Sequence, residues 1–147
     1  MKKNILLLCL TISLTLSGCG SKAQKEAMSA DLAAYGAFLE ALEQVDDGGV
    51  AVYAMGVDAA MQEFTCTTEE GKALREDYQK MSDALNELSA GLQAANAAED
   101  NGQLIASFDL KITEIKAQAD TDEKALMERA KDLDLLEEYK AAVGITE

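Results

Sequence analysis

Hydrophobic residues recur along most of this chain at alternating spacings of three and four, which keeps one face of an α-helix apolar. The first series consists of Met28, Leu32, Tyr35, Leu39 and Leu42, and Phe38 widens it. The charged residues Asp31, Glu40 and Glu43 fall between these positions. The pattern predicts an amphipathic helix that follows a short polar segment ending near Glu26.

The run Asp46-Asp47-Gly48-Gly49 interrupts the first series. Glycine costs roughly 1 kcal/mol relative to alanine inside a helix, and it is common at helix ends. A second apolar series follows at Val50, Tyr53, Val57, Ala60 and Phe64. Leu42 and Tyr53 are 11 residues apart, or three helical turns, so a continuous helix would keep the same face. One long kinked helix from about 23 to 65, slightly favoured, and two helices joined at Gly48-Gly49 both remain open.

The clearest periodicity lies in the middle of the chain. Thr67 and Glu70 fit a capping box, in which each side chain satisfies a free backbone N–H at a helix start. An unbroken heptad series follows at Leu74, Tyr78, Met81, Leu85, Leu88, Leu92 and Ala95. Such repeats favour coiled-coil-like packing. Gly91 lies off this seam and would permit the close approach of a neighbouring helix.

The last apolar region begins after Glu99-Asp100-Asn101-Gly102, a strong turn signal. Its apolar positions are Ile105, Phe108, Ile112, Ile115, Ala119, Leu126, Ala130, Leu133, Leu136 and Val143. The acids of Asp120-Thr121-Asp122-Glu123 would suit the positive end of a helix dipole, yet the apolar spacing also continues through them. One helix of about 40 residues or two helices in line are both compatible with this pattern.

These elements predict an all-α protein. Tight turns near 66–68 and 99–102 would give an antiparallel bundle of three long helices, with four helices as the alternative if Gly48-Gly49 turns the chain. The bundle is assigned to residues 27–143, and residues 144–147 should fray.

The first 19 residues have a different character. Lys2 and Lys3 precede an apolar run from Ile5 to Leu16 that is too short to span a membrane, which needs roughly 20 residues. A basic start followed by a short apolar run is typical of a secretory signal. The run ends in Leu16-Ser17-Gly18-Cys19, which resembles the lipobox of bacterial lipoprotein precursors. The resemblance implies cleavage before Cys19, diacylation of its thiol and, often, acylation of the new amino terminus.

The resemblance also predicts a location. Residues 1–18 would be the signal peptide and residues 19–26 a lipidated tether at the cell envelope. Two or more acyl chains anchor stably, because each buried methylene contributes roughly 0.8 kcal/mol. Gly20 stands where an aspartate commonly retains Gram-negative lipoproteins at the inner membrane. We therefore expect the outer membrane in a Gram-negative source and the outer face of the cell membrane in a Gram-positive one.

Charge and composition exclude several functions. The formal net charge is −14, and removal of the two signal lysines makes the mature chain more negative. No basic patch is expected that could bind nucleic acid or anionic lipid, whereas a basic protein or cationic peptide is a plausible partner. The chain has no histidine, so it lacks the usual general base near neutral pH and the commonest transition-metal ligand.

The remaining chemical groups predict no catalytic, cofactor or metal site. Tyr35, Tyr53, Tyr78 and Tyr139 lie near the apolar stripes, which favours helix packing over an aromatic ligand site. Met28, Met55, Met61, Met81 and Met127 lack the close spacing of a copper site and favour core filling. The acids of Asp46-Asp47, Glu69-Glu70, Glu76-Asp77 and Asp120 to Glu123 do not form a calcium loop. Ser82 and Ser89 lie in ordinary helical context, where no strained turn presents a nucleophile.

Cysteine usage leaves one free thiol in the mature domain. Cys9 leaves with the signal and Cys19 is acylated, so Cys66 is either a small buried apolar residue or able to pair between chains. The sequence therefore predicts a non-enzymatic, lipid-anchored envelope lipoprotein that serves as a structural or protein-interaction module. The alternative is a binding or inhibitory module for a basic envelope protein, a cationic peptide or a small apolar ligand. Self-association is a further hypothesis.

Overall fold

The all-α class is confirmed by a computed structural model, which describes the backbone of residues 3–95 and 101–145 and the side chains of 21–95 and 101–145. Its helices are α1 (Lys3–Glu43), α2 (Val50–Glu63), α3 (Glu69–Ala94), α4 (Gly102–Asp132) and α5 (Leu136–Ala142). Within those residues there are five helices and no strand, so neither predicted helix number matches. None of the described helices is long and apolar enough to cross a membrane.

The favoured continuous helix through Gly48-Gly49 is wrong, because α1 and α2 are separate. Gly49 has a φ of 119°, which L side chains rarely adopt. The Asp46 carboxylate accepts a hydrogen bond from the Gly48 N–H at 3.1 Å and fixes the turn. Val45 then packs on Gly56, where a Cβ would lie 2.5 Å from the valine Cγ1. The small residue lets the turn fold back against α2.

The start of α3 also differs from its predicted cap. Thr68, not Thr67, is the N-cap, and its hydroxyl accepts a hydrogen bond from the Gly71 N–H at 3.1 Å. The predicted pair of Thr67 and Glu70 is therefore displaced by one residue. Thr67 instead donates to Asp31 of α1, which ties the start of α3 to the first helix.

The last apolar region divides after residue 132 rather than at Asp120. α4 runs without interruption through Asp120 to Glu123, and the break comes at Asp134, whose φ is 57°. The Leu135 N–H bonds to the Ala130 carbonyl at 2.8 Å, and the Asp134 N–H bonds to the Lys131 carbonyl at 3.1 Å. This pair of bonds is the Schellman ending, in which aspartate replaces the usual glycine.

The five helices contact one another in a closed ring, in which α5 bridges α4 and α1. Cross-helix contacts show that α2, α3 and α4 each run antiparallel to the preceding helix. α5 instead runs parallel to α1, since Ser29 donates to Glu138 at 2.5 Å and Gly36 lies against Ala142. The ring surrounds the core.

Stacked aromatic rings form the centre of the core. The Phe38 and Phe64 centroids lie 4.6 Å apart at 11°, and Tyr78 meets Phe38 edge-on at 4.8 Å. Aliphatic side chains from three helices and from the turn before α5 surround these rings: Leu32, Leu74, Leu126 and Leu135. Edge-to-face and offset pairs contribute about 0.5–1.5 kcal/mol each beyond burial alone. The predicted seams of α1 and α3 both face this core.

Candidate functional site: buried carboxylates and tyrosines

Three of the four tyrosines gather around one carboxylate. The hydroxyls of Tyr35 and Tyr139 donate to Glu123 Oε1 at 3.1 and 3.2 Å. The Tyr78 hydroxyl lies 3.4 Å from that of Tyr35. The cluster joins α1, α3, α4 and α5, so it sits where the ring of helices closes. Tyr53 does not join it, because its α2 position leaves it 37% exposed.

Burial raises the pKa of all three phenols above their usual value of about 10. It raises the pKa of Tyr35 far above its usual range, and the neighbouring Tyr78 and Glu123 act in the same direction. It raises the pKa of Tyr139 to about 12, again with Glu123 contributing. Burial is also the main cause of the raised pKa of Tyr78. The tyrosines therefore remain hydrogen-bond donors at physiological pH, and the geometry is that of a packing network.

A second buried carboxylate lies at the interface of α3 and α4. Asp77 is 1% exposed, and its Oδ1 receives a hydrogen bond from Lys80 Nζ at 3.0 Å. Its Oδ2 is buried without a hydrogen-bond partner. Burial raises the pKa of Asp77, Lys80 opposes that rise, and the nearby Asp122 carboxylate adds to it. The sequence placed these two acids in separate clusters, and the fold brings them together.

Asp31 is a buried, hydrogen-bonded carboxylate that the sequence pattern did not predict. It was expected between the apolar positions of α1, yet it is 2% exposed. Oδ1 accepts from the Thr67 N–H at 2.8 Å and Oδ2 from the Thr68 N–H at 2.8 Å. Both threonine hydroxyls also donate to it, at 3.1 and 2.6 Å. The spacing could have indicated this burial, because Asp31 stands three residues after Met28 and four before Tyr35, on the same helix face.

Asp58 forms a comparable link between α2 and α3. Its carboxylate accepts a hydrogen bond from the Ser82 hydroxyl and two from the Asn86 amide, at 3.1 and 3.0 Å. Ser82 is fully buried there, so its hydroxyl serves the helix interface. Ser89 instead lines a groove with the first residues of α2. Ser82 therefore has a carboxylate within hydrogen-bond reach, but it is fully buried and is not presented at the surface.

Cys66 is half-buried beside Asp31. Burial raises the pKa of its thiol to about 12, the Asp31 carboxylate adds to the rise, and Arg75 opposes it. Since the thiolate is the reactive form, the thiol is protected at neutral pH.

The methionines divide between core and surface. Met28 and Met61 are buried, and Met81 and Met127 pack against the core from partly buried positions. Met55 is 72% exposed on the outer side of α2. In the part of the chain that the structure describes, no group of three or more acidic or cysteine side chains could hold a metal ion.

Two open grooves flank α1 at the end of the bundle where its described side chains begin, near residue 21. One, of about 510 Å³, lies between α1 and the start of α3 and is lined by Gln24, Glu70 and Arg129 among others. The other, of about 570 Å³, lies between α1 and α5 and includes Lys22, Lys25 and Glu138. Arg129 donates to Gln24 at 3.1 Å, so its guanidinium already has a partner. Cys19 lies outside the residues whose side chains are described.

No known protein family, curated protein or solved structure matches this chain. The fold and side-chain chemistry therefore carry the functional argument. The buried polar groups mostly bond to one another across helix interfaces, which makes them stabilising contacts. Any partner would therefore bind to the surface and not to these buried groups.

Proposed function

We propose that this protein is a bacterial envelope lipoprotein whose helical domain binds another protein and has no enzymatic activity. Acyl chains on Cys19 would hold it to the membrane, and residues 1–18 would be removed. The observation that carries the proposal is the sequence Leu16-Ser17-Gly18-Cys19 at the end of a short apolar run with a basic start. All parts of that signal agree in position and spacing.

The arrangement of the domain supports a binding role over a catalytic one. Its tyrosine hydroxyls and the Asp31 and Asp58 carboxylates bond to neighbouring helices, so they stabilise packing and do not face a substrate. A catalytic nucleophile needs a base within hydrogen-bond reach. Cys66, the most reactive type of side chain in the domain, has a pKa raised to about 12.

Metabolic labelling with an acyl-chain analogue tests the anchor. The wild-type protein should carry the label and remain with membranes, and Cys19→Ser should lose both the label and the cleavage of residues 1–18. The other two cysteines provide matched controls, since Cys9→Ser and Cys66→Ser should keep the label. Unlabelled wild-type protein, or label that survives in Cys19→Ser, would refute the lipoprotein proposal.

Cross-linking in intact envelopes tests the binding role. A specific partner should be recovered with the wild-type protein and lost with Cys19→Ser, because the bundle then lies away from its membrane. Recovery of no specific partner would contradict the interaction role without affecting the lipid result.

A further inference from the structure

The ring of helices is closed at one end of the molecule and open at the other. Phe38 of α1 meets Tyr78 of α3, and the two helices run in the same direction. α1 ends five residues later at Glu43, about 7.5 Å further along at 1.5 Å per residue. α5 ends beside Gly36. Among the described residues, the helices that continue beyond that level are α2, α3 and α4, which form a row of three, and the segment 44–49 folds back along α2 with Val45 against Gly56.

The inward faces of α2 and α4 become exposed where α1 ends, whereas on α3 Leu88 stays buried and Leu85 and Leu92 are half-buried. On α4, Ile115 and Ala119 are buried, whereas Ile105, on the same face, is 45% exposed. On α2, Val57 and Phe64 are buried, whereas Tyr53 is 37% exposed. We give the name distal groove to the exposed and half-buried apolar positions on these faces: Tyr53, Leu85, Leu92, Ile105, Phe108 and Ile112. The distal groove continues the core beyond the end of α1, the helix that covers the core elsewhere.

The chain segments that carry the distal groove are mostly acidic. The acids of the surrounding segments are Glu40, Glu43, Asp46, Asp47, Asp58, Asp83, Glu87, Asp109 and Glu114. The cations of the described segments 40–58, 83–95 and 101–116 are Lys111 and Lys116. Lys111 is already paired with Glu87 at 2.6 Å. A second copy of this acidic chain would be repelled, whereas a basic partner would be attracted.

We infer that the distal groove binds an amphipathic helix of a partner protein, with an apolar face against the groove and lysine or arginine along its flanks. This inference rests on the proposed binding function and names the surface and the partner chemistry. About 10 residues of α3 extend beyond the end of α1, which corresponds to about 15 Å. A partner helix of three to four turns would complete the four-helix cross-section.

A defined peptide tests the distal groove directly. The probe is a 14-residue helix with leucines at heptad spacing and lysines on the flanks, and its match carries glutamates instead of lysines. Binding is measured by fluorescence anisotropy to the full-length protein in phosphatidylcholine nanodiscs, with empty nanodiscs subtracted. The lysine probe should bind, and the glutamate probe should bind at least tenfold more weakly because the surrounding segments are acidic.

Matched aspartate substitutions separate the distal groove from general charge attraction. Ile105→Asp and Tyr53→Asp should each weaken binding of the lysine probe at least tenfold. Leu110→Asp and Met55→Asp should change it less than twofold, since these side chains are 70% and 72% exposed on outer faces. Each variant adds the same negative charge, so attraction alone would strengthen binding in all four. Circular dichroism should show unchanged folding, which the exposure of all four positions favours.

Other outcomes would overturn the inference. No binding of the lysine probe, or equal effects of groove and outer substitutions, would remove the distal groove as the site. Self-association abolished by Ile105→Asp would identify the occupant as a second copy. A cross-linked envelope partner that survives Ile105→Asp would refute the groove while leaving the proposed function intact. Absence of the acyl label on Cys19 of the wild-type protein would refute the lipid anchor without affecting the distal groove.

Discussion

Replacement of Asp31 by asparagine should destabilise the fold, although the two side chains have nearly the same shape. The carboxylate receives four donors, two backbone N–H groups and two hydroxyls, all from Thr67 and Thr68. The shortest backbone bond to each oxygen is 2.8 Å long, from Thr67 to Oδ1 and from Thr68 to Oδ2, and the Thr67 N–H also lies 3.1 Å from Oδ2. Whichever way the asparagine amide points, its NH₂ group faces a backbone N–H. One donor then meets another donor, and the remaining bond loses its charge assistance.

The expected loss is about 3 kcal/mol. Hydrogen bonds to a charged group contribute about 1.5–3 kcal/mol each, and two backbone bonds are affected. The hydroxyls can rotate toward water, because Thr67 is exposed, so they are left out of the sum. For a domain of this size the loss corresponds to a fall in Tm of about 10 °C. Asp31→Ala should cost a similar amount, although it removes the misplaced donor, because both N–H groups then lack an acceptor.

Urea unfolding followed by far-ultraviolet circular dichroism measures the free energy of unfolding of both variants. Asp83→Asn is the matched control, since this exposed carboxylate accepts a bond only from the neighbouring Gln79 amide in the described structure. The control should stay within about 0.5 kcal/mol of wild type. If Asp31→Asn were as stable as the control, the view that this carboxylate fastens α1 to the start of α3 would be refuted.

Three further perturbations test other parts of the structure. Asp77→Asn should raise stability at pH 7: burial raises the pKa of this carboxyl, so wild-type stability falls as pH rises above its unfolded value of about 4. Urea titrations should show the gain shrinking toward pH 4, and an equal gain at both pH values would contradict the assignment. Iodoacetamide should alkylate folded Cys66 about a thousandfold more slowly than the unfolded chain at pH 8, because the thiol pKa rises from 9.0 to about 12; similar rates would contradict its protection. Phe64→Ala should cost about 3–5 kcal/mol in urea, against about 0.5 kcal/mol for the exposed Met55→Ala, and equal losses would exclude a central role for the aromatic cluster.

Periodicity predicted the helices well wherever the apolar stripe meets a neighbour along its full length. The seam of α3 from Leu74 to Leu88 faces inward, as its heptad spacing predicts. Gly91 admits a neighbour as predicted, since a Cβ there would lie 2.7 Å from Leu104 Cδ2. Both features depend only on spacing and side-chain size, which the sequence contains.

The helix breaks were harder to predict because local conformational preferences compete with spacing. A three-turn interval across Gly48-Gly49 favoured a continuous helix, but a positive φ at Gly49 and the Asp46 side-chain bond favour a turn. The break at Asp134 lies in a run of good helix formers, and only the tolerance of aspartate for left-handed backbone marks it.

The buried polar contacts depend on tertiary structure. Asp31 meets Thr67 across 36 residues, and Tyr35 meets Glu123 across 88. Spacing placed Asp31 beside apolar neighbours, but its threonine donors come from the start of another helix. The exposure of Tyr53 and Ile105 also depends on tertiary structure. Both residues lie on the predicted apolar stripes, and α1 is too short to cover them.

The parallel placement of α5 beside α1 affects the order in which the molecule can be completed. Ser29 and Glu138 are 109 residues apart, and Gln24 and Arg129 are 105 apart. Contacts of such sequence separation form late, because a long loop must close before they stabilise anything. Until α5 has left the ribosome, the face of α1 around Gly36 has no cover. The side of the bundle formed by α1 and α5 is therefore the last of these helix contacts to be completed, and removal of α5 would expose it.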